Sequence, residues 1–322
     1  MVKTAYKCLI IYACLLLFGF IATRHIQHLL SLSLLYSLVA IGLVILIGYG
    51  GLVSFGQGAF YAIGAYSVGL LLKYYGFQNA EILLVLGVLI TTLISFLIGL
   101  LAARTRKLAF AMITVAFSMI IYTLLVKFYH ITGGTDGLRI PAVKLFGILP
   151  VRGRDLFMSM SNEYFIIITI FTIILYITEH VINSPLSYAL RAVKDAELKA
   201  VSLGISPTRV YILAFTYAGF LAGIAGTLYA FLNAHIDPLI AFWTTSGEFV
   251  FITILGGITS IYGVFLASIL YLFLKTYLIV YTAYYWQFVI GFVILLLILL
   301  APKGLSGIIF KVYIGRKVFR KS

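Results

Sequence analysis

The chain has 322 residues, 63% of them hydrophobic and only 10% charged, with a formal net charge of +14. A soluble domain carries about 25% charged residues to cover its surface, so this composition excludes an ordinary water-soluble globule and makes lipid the main solvent. The basic excess suits loops that hold membrane helices in orientation better than it suits a nucleic-acid surface.

Ten spans of about 20 apolar residues each would use about 200 residues, close to the hydrophobic total. The apolar runs predict spans near 8–23, 31–49, 54–72, 81–103, 108–128, 163–182, 209–232, 240–257, 261–282 and 285–301. The expected fold class is therefore all-α: a polytopic membrane protein of about ten helices. Lys3 and Lys7 precede the first run like the start of a signal peptide. The chain then continues Arg24-His25-Ile26-Gln27-His28 without a small-residue cleavage site, so this run is expected to be retained as a helix. Cys8 and Cys14 share that run, where a disulfide within one helix is implausible, and read as packing residues.

Basic residues set the expected orientation. With the N-terminus in the cytoplasm, Lys3, Lys7, Arg104, Arg106, Lys107, Arg191, Lys194, Lys199 and Arg209 lie inside. So do Lys303, Lys311, Arg316, Lys317, Arg320 and Lys321, which makes both termini cytoplasmic. An outer connection, about 129–162, carries or adjoins Lys127, Arg139, Lys144, Arg152 and Arg154; longer translocated loops tolerate such charge. An inner connection runs over about 183–208. No low-complexity linker divides the chain, which reads as a single domain over 1–322. Spans 2–5 and 7–10 suggest two related halves, without a residue-level repeat.

Four segments interrupt the apolar pattern. Between spans 2 and 3, Gly48-Tyr49-Gly50-Gly51-Leu52-Val53-Ser54-Phe55-Gly56-Gln57-Gly58 holds five glycines. Glycine frees the backbone from helical geometry, and a break at membrane depth must face protein or a water-filled cavity. A helix starting near Ser54 would aim its N–H groups at an anionic group; the plainer alternative is a tight cytoplasmic turn. Gly50, Gly51, Ser54 and Gln57 are candidate substrate-path residues. Gly58, Ala62, Ala65 and Gly69 form a small-residue seam suited to helix contact.

The inner connection begins with Ser184 as a helix cap and Pro185 in the first turn. Leu186, Ala189, Leu190 and Val193 share one face, and Gly204 closes a second short helix. Two short amphipathic helices there offer a docking surface for a soluble partner, or else lie on the membrane surface. Thr132-Gly133-Gly134-Thr135-Asp136-Gly137 reads as an outer turn, and Leu255-Gly256-Gly257-Ile258-Thr259-Ser260-Ile261-Tyr262-Gly263 as a break between spans 8 and 9. Glu248 is the acid best placed within an apolar run, and an intramembrane acid is a pathway candidate, although Thr244, Thr245, Ser246 and Gly247 set it near the outer interface. Lys275 reads as a snorkelling side chain.

Absent motifs narrow the field. No G-x-x-x-x-G-K-[ST] phosphate loop and no H-E-x-x-H pair occurs, and the five histidines are scattered. The chain is expected neither to hydrolyse ATP nor to hold a metal.

In this order, the segments from Gly48 to Tyr66, from Thr132 to Gly137, through the inner connection to Gly204, from Leu255 to Gly263, and Pro302-Lys303-Gly304-Leu305 resemble the permease subunits of branched-chain amino acid ABC importers, on the M-type side. The resemblance covers about residues 35 to 307. It implies a non-enzymatic permease that moves leucine, isoleucine and valine, or a related small amino acid or amide. The implied partners are a second, H-type permease, two cytoplasmic ATPase subunits that hydrolyse the ATP, and an extracytoplasmic binding protein. The inner connection then corresponds to the coupling helices, with Arg191, Asp195, Glu197, Lys199, Ala200 and Gly204 as candidate coupling residues. The family's Glu-Ala-Ala triplet falls on Leu198-Lys199-Ala200, so its Glu and first Ala are missing here. The implied location is the cytoplasmic membrane of a prokaryote. The alternative is a stand-alone secondary transporter or channel for small polar solutes.

Overall fold

Apolar runs without water to solvate their backbone must close their hydrogen bonds within helices. The computed structural model describes residues 2–105, 107–145, 147, 149–152, 155–157, 160–281, 285–300 and 304–307. Arg106, Arg154, Pro302, Lys303, Lys311, Arg316, Lys317, Arg320 and Lys321 lie outside the described residues.

Helices occupy all ten predicted runs. They are α1 (Val2–Ile21), α2 (Arg24–Leu43), α3 (Gln57–Tyr75), α4 (Ala80–Ala102), α5 (Lys107–Lys127), a short α6 (Tyr129–Thr132) and α7 (Asn162–Ile182). The inner connection forms α8 (Pro185–Asp195) and α9 (Glu197–Ser202). Then come α10 (Pro207–Leu232), α11 (Trp243–Gly256), α12 (Ile261–Tyr281) and α13 (Trp286–Leu300). Among the described residues, seven helices are long and apolar enough to cross a membrane: α1, α2 with its continuation to Tyr49, α4, α5, α7, α10 and α12. α3, α11 and α13 fill the other three predicted spans but fall outside that set. The fold is not purely helical: β1 (Leu138–Arg139) pairs antiparallel with β6 (His235–Ile236), β2 (Lys144–Leu145) with β3 (Leu149–Pro150), and β4 (Asp155–Phe157) with β5 (Met160–Ser161). The β1–β6 pair ties the loop after α6 to the loop after α10. Arg152 in this region is half-buried and donates to the Ile140 carbonyl at 2.8 Å; burial lowers its pKa, with Glu163 opposing that shift. Some of the charge in this loop is thus structural.

α10 is the central post, packed by α2, α3 and α4. In lipid the helices gain nothing from leaving one apolar solvent for another, so close van der Waals packing must hold them together. Glycines on α10 allow it. A methyl group on Gly226 would stand 2.0 Å from the Tyr61 carbonyl oxygen of α3, and one on Gly223 would stand 2.8 Å from Thr91 Cβ of α4. One on Gly219 would meet Ser95 of α4 at 2.2 Å. This Gly219-x-x-x-Gly223 spacing was legible in the sequence and was missed. The expected seam on α3 does not serve one partner: Gly58 abuts Ile240 and Ser246, and Gly69 abuts Leu138 and Ile140. α1 stands at the edge, mainly against α7. Lys7 lies over the Tyr262 ring, and the Tyr262 hydroxyl donates to Glu179. Cys8 and Cys14 are both free; Cys8 is buried and Cys14 faces outward.

Gly226→Val should destabilise the bundle by about 1–3 kcal/mol or more through overpacking. A lowered thermal midpoint in detergent reads this out. Gly247→Ala, where an added methyl meets nothing within 4 Å, should leave the midpoint unchanged or raise it. Equal effects of the two substitutions would remove the packing argument.

Candidate functional site

The first glycine segment does not form a simple turn. After α2 the helix continues as a π-helix, Val44–Tyr49, before the chain leaves helical geometry at Gly50. Gly51 adopts a φ of +66°, which favours glycine. Residues 52–56 run through the interior, with Leu52, Ser54 and Gly56 buried. Their polar groups find protein partners, as an apolar interior requires. Leu52 donates to the Leu46 carbonyl at 2.9 Å, and the Phe55 N–H donates to Thr114 Oγ1 at 3.0 Å.

α3 starts at Gln57 with Gly56 as its cap, three residues later than the sequence suggested. Ser54 is not the cap; its buried hydroxyl accepts from the Gly56 N–H at 3.3 Å. The Gly58 N–H donates to Ser246 Oγ at 2.8 Å, so the first turn of α3 meets the first turn of α11. The Gln57 side chain is fully buried at this crossing, and neither its oxygen nor its nitrogen has a hydrogen-bond partner. One turn on, the Tyr61 ring lies 5.7 Å from Phe249 and 6.2 Å from Tyr36, both edge-on.

Glu248 follows directly on this crossing and is not a lone acid. Its Oε1 lies 2.5 Å from Lys275 Nζ of α12, with about a fifth or less of each side chain exposed. Lys275 therefore does not snorkel, because a carboxylate within reach holds its ammonium. That ammonium also stands 5.5 Å from the centre of the Trp286 ring of α13. Glu248 opens on a cavity of about 510 Å³ between α11, α12 and α13, with Tyr271 and Trp286 in its wall.

Gly50 and Gly51, expected on the substrate path, lie against α8. A side chain on Gly50 would meet Leu190, and one on Gly51 would meet Lys194, both of α8. Lys194 Nζ donates to the Gly48 carbonyl at 2.7 Å, and the Arg191 guanidinium stacks 4.3 Å from the centre of the Tyr49 ring. α8 is thus pinned to the π-helical end of α2. Its buried Ser187, Leu190 and Val193 face the bundle, while Tyr188 and Arg191 are exposed. Ser184 occupies the cap position but does not cap, since its hydroxyl donates back to the Val181 carbonyl at 2.6 Å. Of the remaining predicted coupling residues, Ala200 is buried, Glu197 half-buried, and Asp195 and Lys199 exposed. Gly204 ends this element with a φ of +84° and open space around it.

The second break stacks on the first. A methyl on Gly48 would strike the Ile258 carbonyl oxygen, and Gly304 lies against Gly257. Two glycine breaks, α8 and the segment 304–307 thereby converge at one end of the bundle. The Thr132–Gly137 turn sits elsewhere, against the β1–β6 pair: a methyl on Gly137 would stand 2.2 Å from the Ile236 carbonyl oxygen. Sequence reasoning named Lys194 only as a loop charge, and it missed Tyr49 and Ser246. A Tyr inside a glycine run, and a Lys one helical turn from an Arg, were the available signals. Among the described residues, no group of three His, Cys, Asp or Glu is placed to hold a metal.

Residues 25–299 match the family model described as "Branched-chain amino acid transport system / permease component". The chain is 30% identical to the high-affinity branched-chain amino acid transport system permease protein LivM of Salmonella typhimurium, over 89% of this chain and 71% of that protein. It is equally similar to LivM of Escherichia coli, and 26% identical to the permease protein LivH of Escherichia coli over 86% of this chain and 92% of that one. No solved structure matches. A bundle of membrane-length helices, interrupted by two glycine breaks with α8 pinned against the first, thus agrees with the match across most of its length: the chain belongs to the branched-chain amino acid transport permease family.

Proposed function

We propose that the chain is the M-type permease subunit of an ATP-binding-cassette importer. It carries leucine, isoleucine and valine, or a related small amino acid or amide, across the cytoplasmic membrane of a prokaryote. A second, H-type permease completes the path, two ATPase subunits hydrolyse the ATP, and an extracytoplasmic binding protein delivers the substrate. The chain itself is no enzyme and needs no cofactor.

The observation that carries this reading is the outer face of α8 and α9. Tyr188, Leu198, Val201 and Leu203 are exposed there, Leu198 by 88%. Between them lie the charges of Arg191, Asp195 and Lys199. An apolar set mixed with charges, on helices held firmly from behind, suits a protein partner better than passive rest on lipid. The pins to Gly48 and Tyr49 give a pull on α8 a direct route to α2, and through residues 50–56 to Gln57.

Ten crossings are part of the proposal. α11 has 14 residues, about 21 Å of helix, and needs the segment 233–242 to complete a path through about 30 Å of hydrocarbon. The N-terminus and the α8–α9 end are placed in the cytoplasm by the basic residues there. A stand-alone secondary transporter is the rival reading, favoured by the Glu248–Lys275 pair alone, since buried ion pairs serve such carriers.

In cells dependent on this permease, uptake of labelled leucine should collapse when ATP is depleted with the membrane potential preserved. Uptake that follows the potential instead would select the rival reading. Replacing Arg191 and Lys194 together by Ala should cut uptake at least about tenfold while the assembled complex still turns over ATP. An uptake rate unchanged by this double substitution would remove the pins from the mechanism. Gly204→Ala, which strains a left-handed residue without any clash, should cost only about 1 kcal/mol of local stability. Hydrogen exchange at α9 measures that change.

A further inference from the structure

α1 leaves a groove at the rim of the bundle. The groove encloses about 320 Å³ between α1, α2 and α12, and Ile11, Leu15, Phe18, Leu30, Phe265 and Ile269 line it. Most of α1 faces away from the bundle, and α1 precedes residues 25–299, the stretch that matches the family. A cation stands over one end of the groove. The Lys7 ammonium lies 5.4 Å from the centre of the Tyr262 ring. Lys7 is one turn before Ile11 on α1, and Tyr262 is one turn before Phe265 on α12. Their contact therefore joins the two walls just beyond the point where the apolar lining begins. Lys7 is exposed and lies above the groove, not in its wall.

We propose that this groove holds one acyl chain of an anionic phospholipid, whose phosphate rests on Lys7.

Length, shape and charge support it. From Lys7 to Phe18 the helix rises about 16 Å, close to the roughly 15 Å of hydrocarbon in one leaflet. A phosphate at Lys7 thus lies at head-group level while its chain reaches the level of Phe18. A further membrane helix is too large an occupant: about 10 Å across and about 16 Å long, it fills on the order of 1,200 Å³, roughly four times the groove. Helix contacts in lipid also favour small residues, whereas these walls are branched and aromatic. An acyl chain can follow such an uneven surface. A lysine ammonium binds phosphate as a point charge, and a basic residue at the membrane surface attracts anionic lipid. The Tyr262 ring steadies that ammonium. Glu179, which accepts the Tyr262 hydroxyl, offsets part of the attraction, so the preference over a neutral lipid is a few-fold and not larger.

Trp243 and Trp286 are the two tryptophans of the chain, so Trp243→Phe and Trp286→Phe with Phe18→Trp leave one tryptophan, in the groove. The full-length chain is reconstituted in phosphatidylcholine containing a small fraction of phosphatidylglycerol or phosphatidylcholine brominated on its acyl chains, which quenches tryptophan on contact. Brominated phosphatidylglycerol should bind at the groove about three- to fivefold more tightly, read as stronger quenching at equal mole fraction. Lys7→Gln should bring the two lipids to equal quenching, and Lys7→Arg should keep the preference. Equal quenching with Lys7 in place would mean ordinary bilayer contact and would overturn the proposal, as would a preference that survives Lys7→Gln. Little quenching by either lipid would mean that protein fills the groove and would overturn it too. The comparison of the two lipids on the chain that retains Lys7 decides even if Lys7→Gln fails to fold.

Discussion

The crossing of α3 on α10 governs this bundle. At Gly226 the backbone of α10 meets the Tyr61 carbonyl so closely that no side chain fits between them. Gly219 and Gly223 bring α4 onto the same post. In lipid, where burying an apolar group gains little, such contact is the main source of cohesion. It also fixes where the first turn of α3 must lie, and hence where α11 can approach it.

The placement of α3 has two consequences. The chain must travel from the end of α2 to Gln57 without helical hydrogen bonds, so Leu46 and Thr114 supply the partners. The start of α3 also comes against the start of α11, through Gly58 and Ser246. Glu248 lies less than one turn beyond that contact, and Lys275 of α12 answers its charge. Packing in the centre thus sets the geometry of the polar groups around it.

At the other end of residues 50–56, α8 holds the π-helix of α2 through a hydrogen bond and a cation–π stack. A π-helix is a poorly bonded segment by comparison with an α-helix and is commonly found at functional sites. Gly48 leaves no room for a side chain against the Ile258 backbone, and Gly51 lies beside the Lys194 side chain. α8, the first break and the second break accordingly form one packed assembly, in which displacement of any member is felt by the others.

Much of this was determined by the sequence alone. Composition made lipid the solvent, and each predicted apolar run falls on a helix, because each run must satisfy its own backbone; α1 and α2 begin six and seven residues earlier than predicted. The glycine segments were legible as breaks, and Gly204 as a helix end, because backbone conformation at glycine is a local property. The tertiary structure decided what these pieces touch. The contact of Gly50 and Gly51 with α8 was not legible, because it joins segments about 140 residues apart. Ser54 lost its capping role because α3 begins at Gln57 and the Ser54 hydroxyl accepts from the Gly56 N–H instead. Lys275 changed from a snorkelling side chain to the partner of Glu248, 27 residues away in the chain. Long-range pairing of this kind leaves no period in the sequence: which charge answers which depends on how the helices pack.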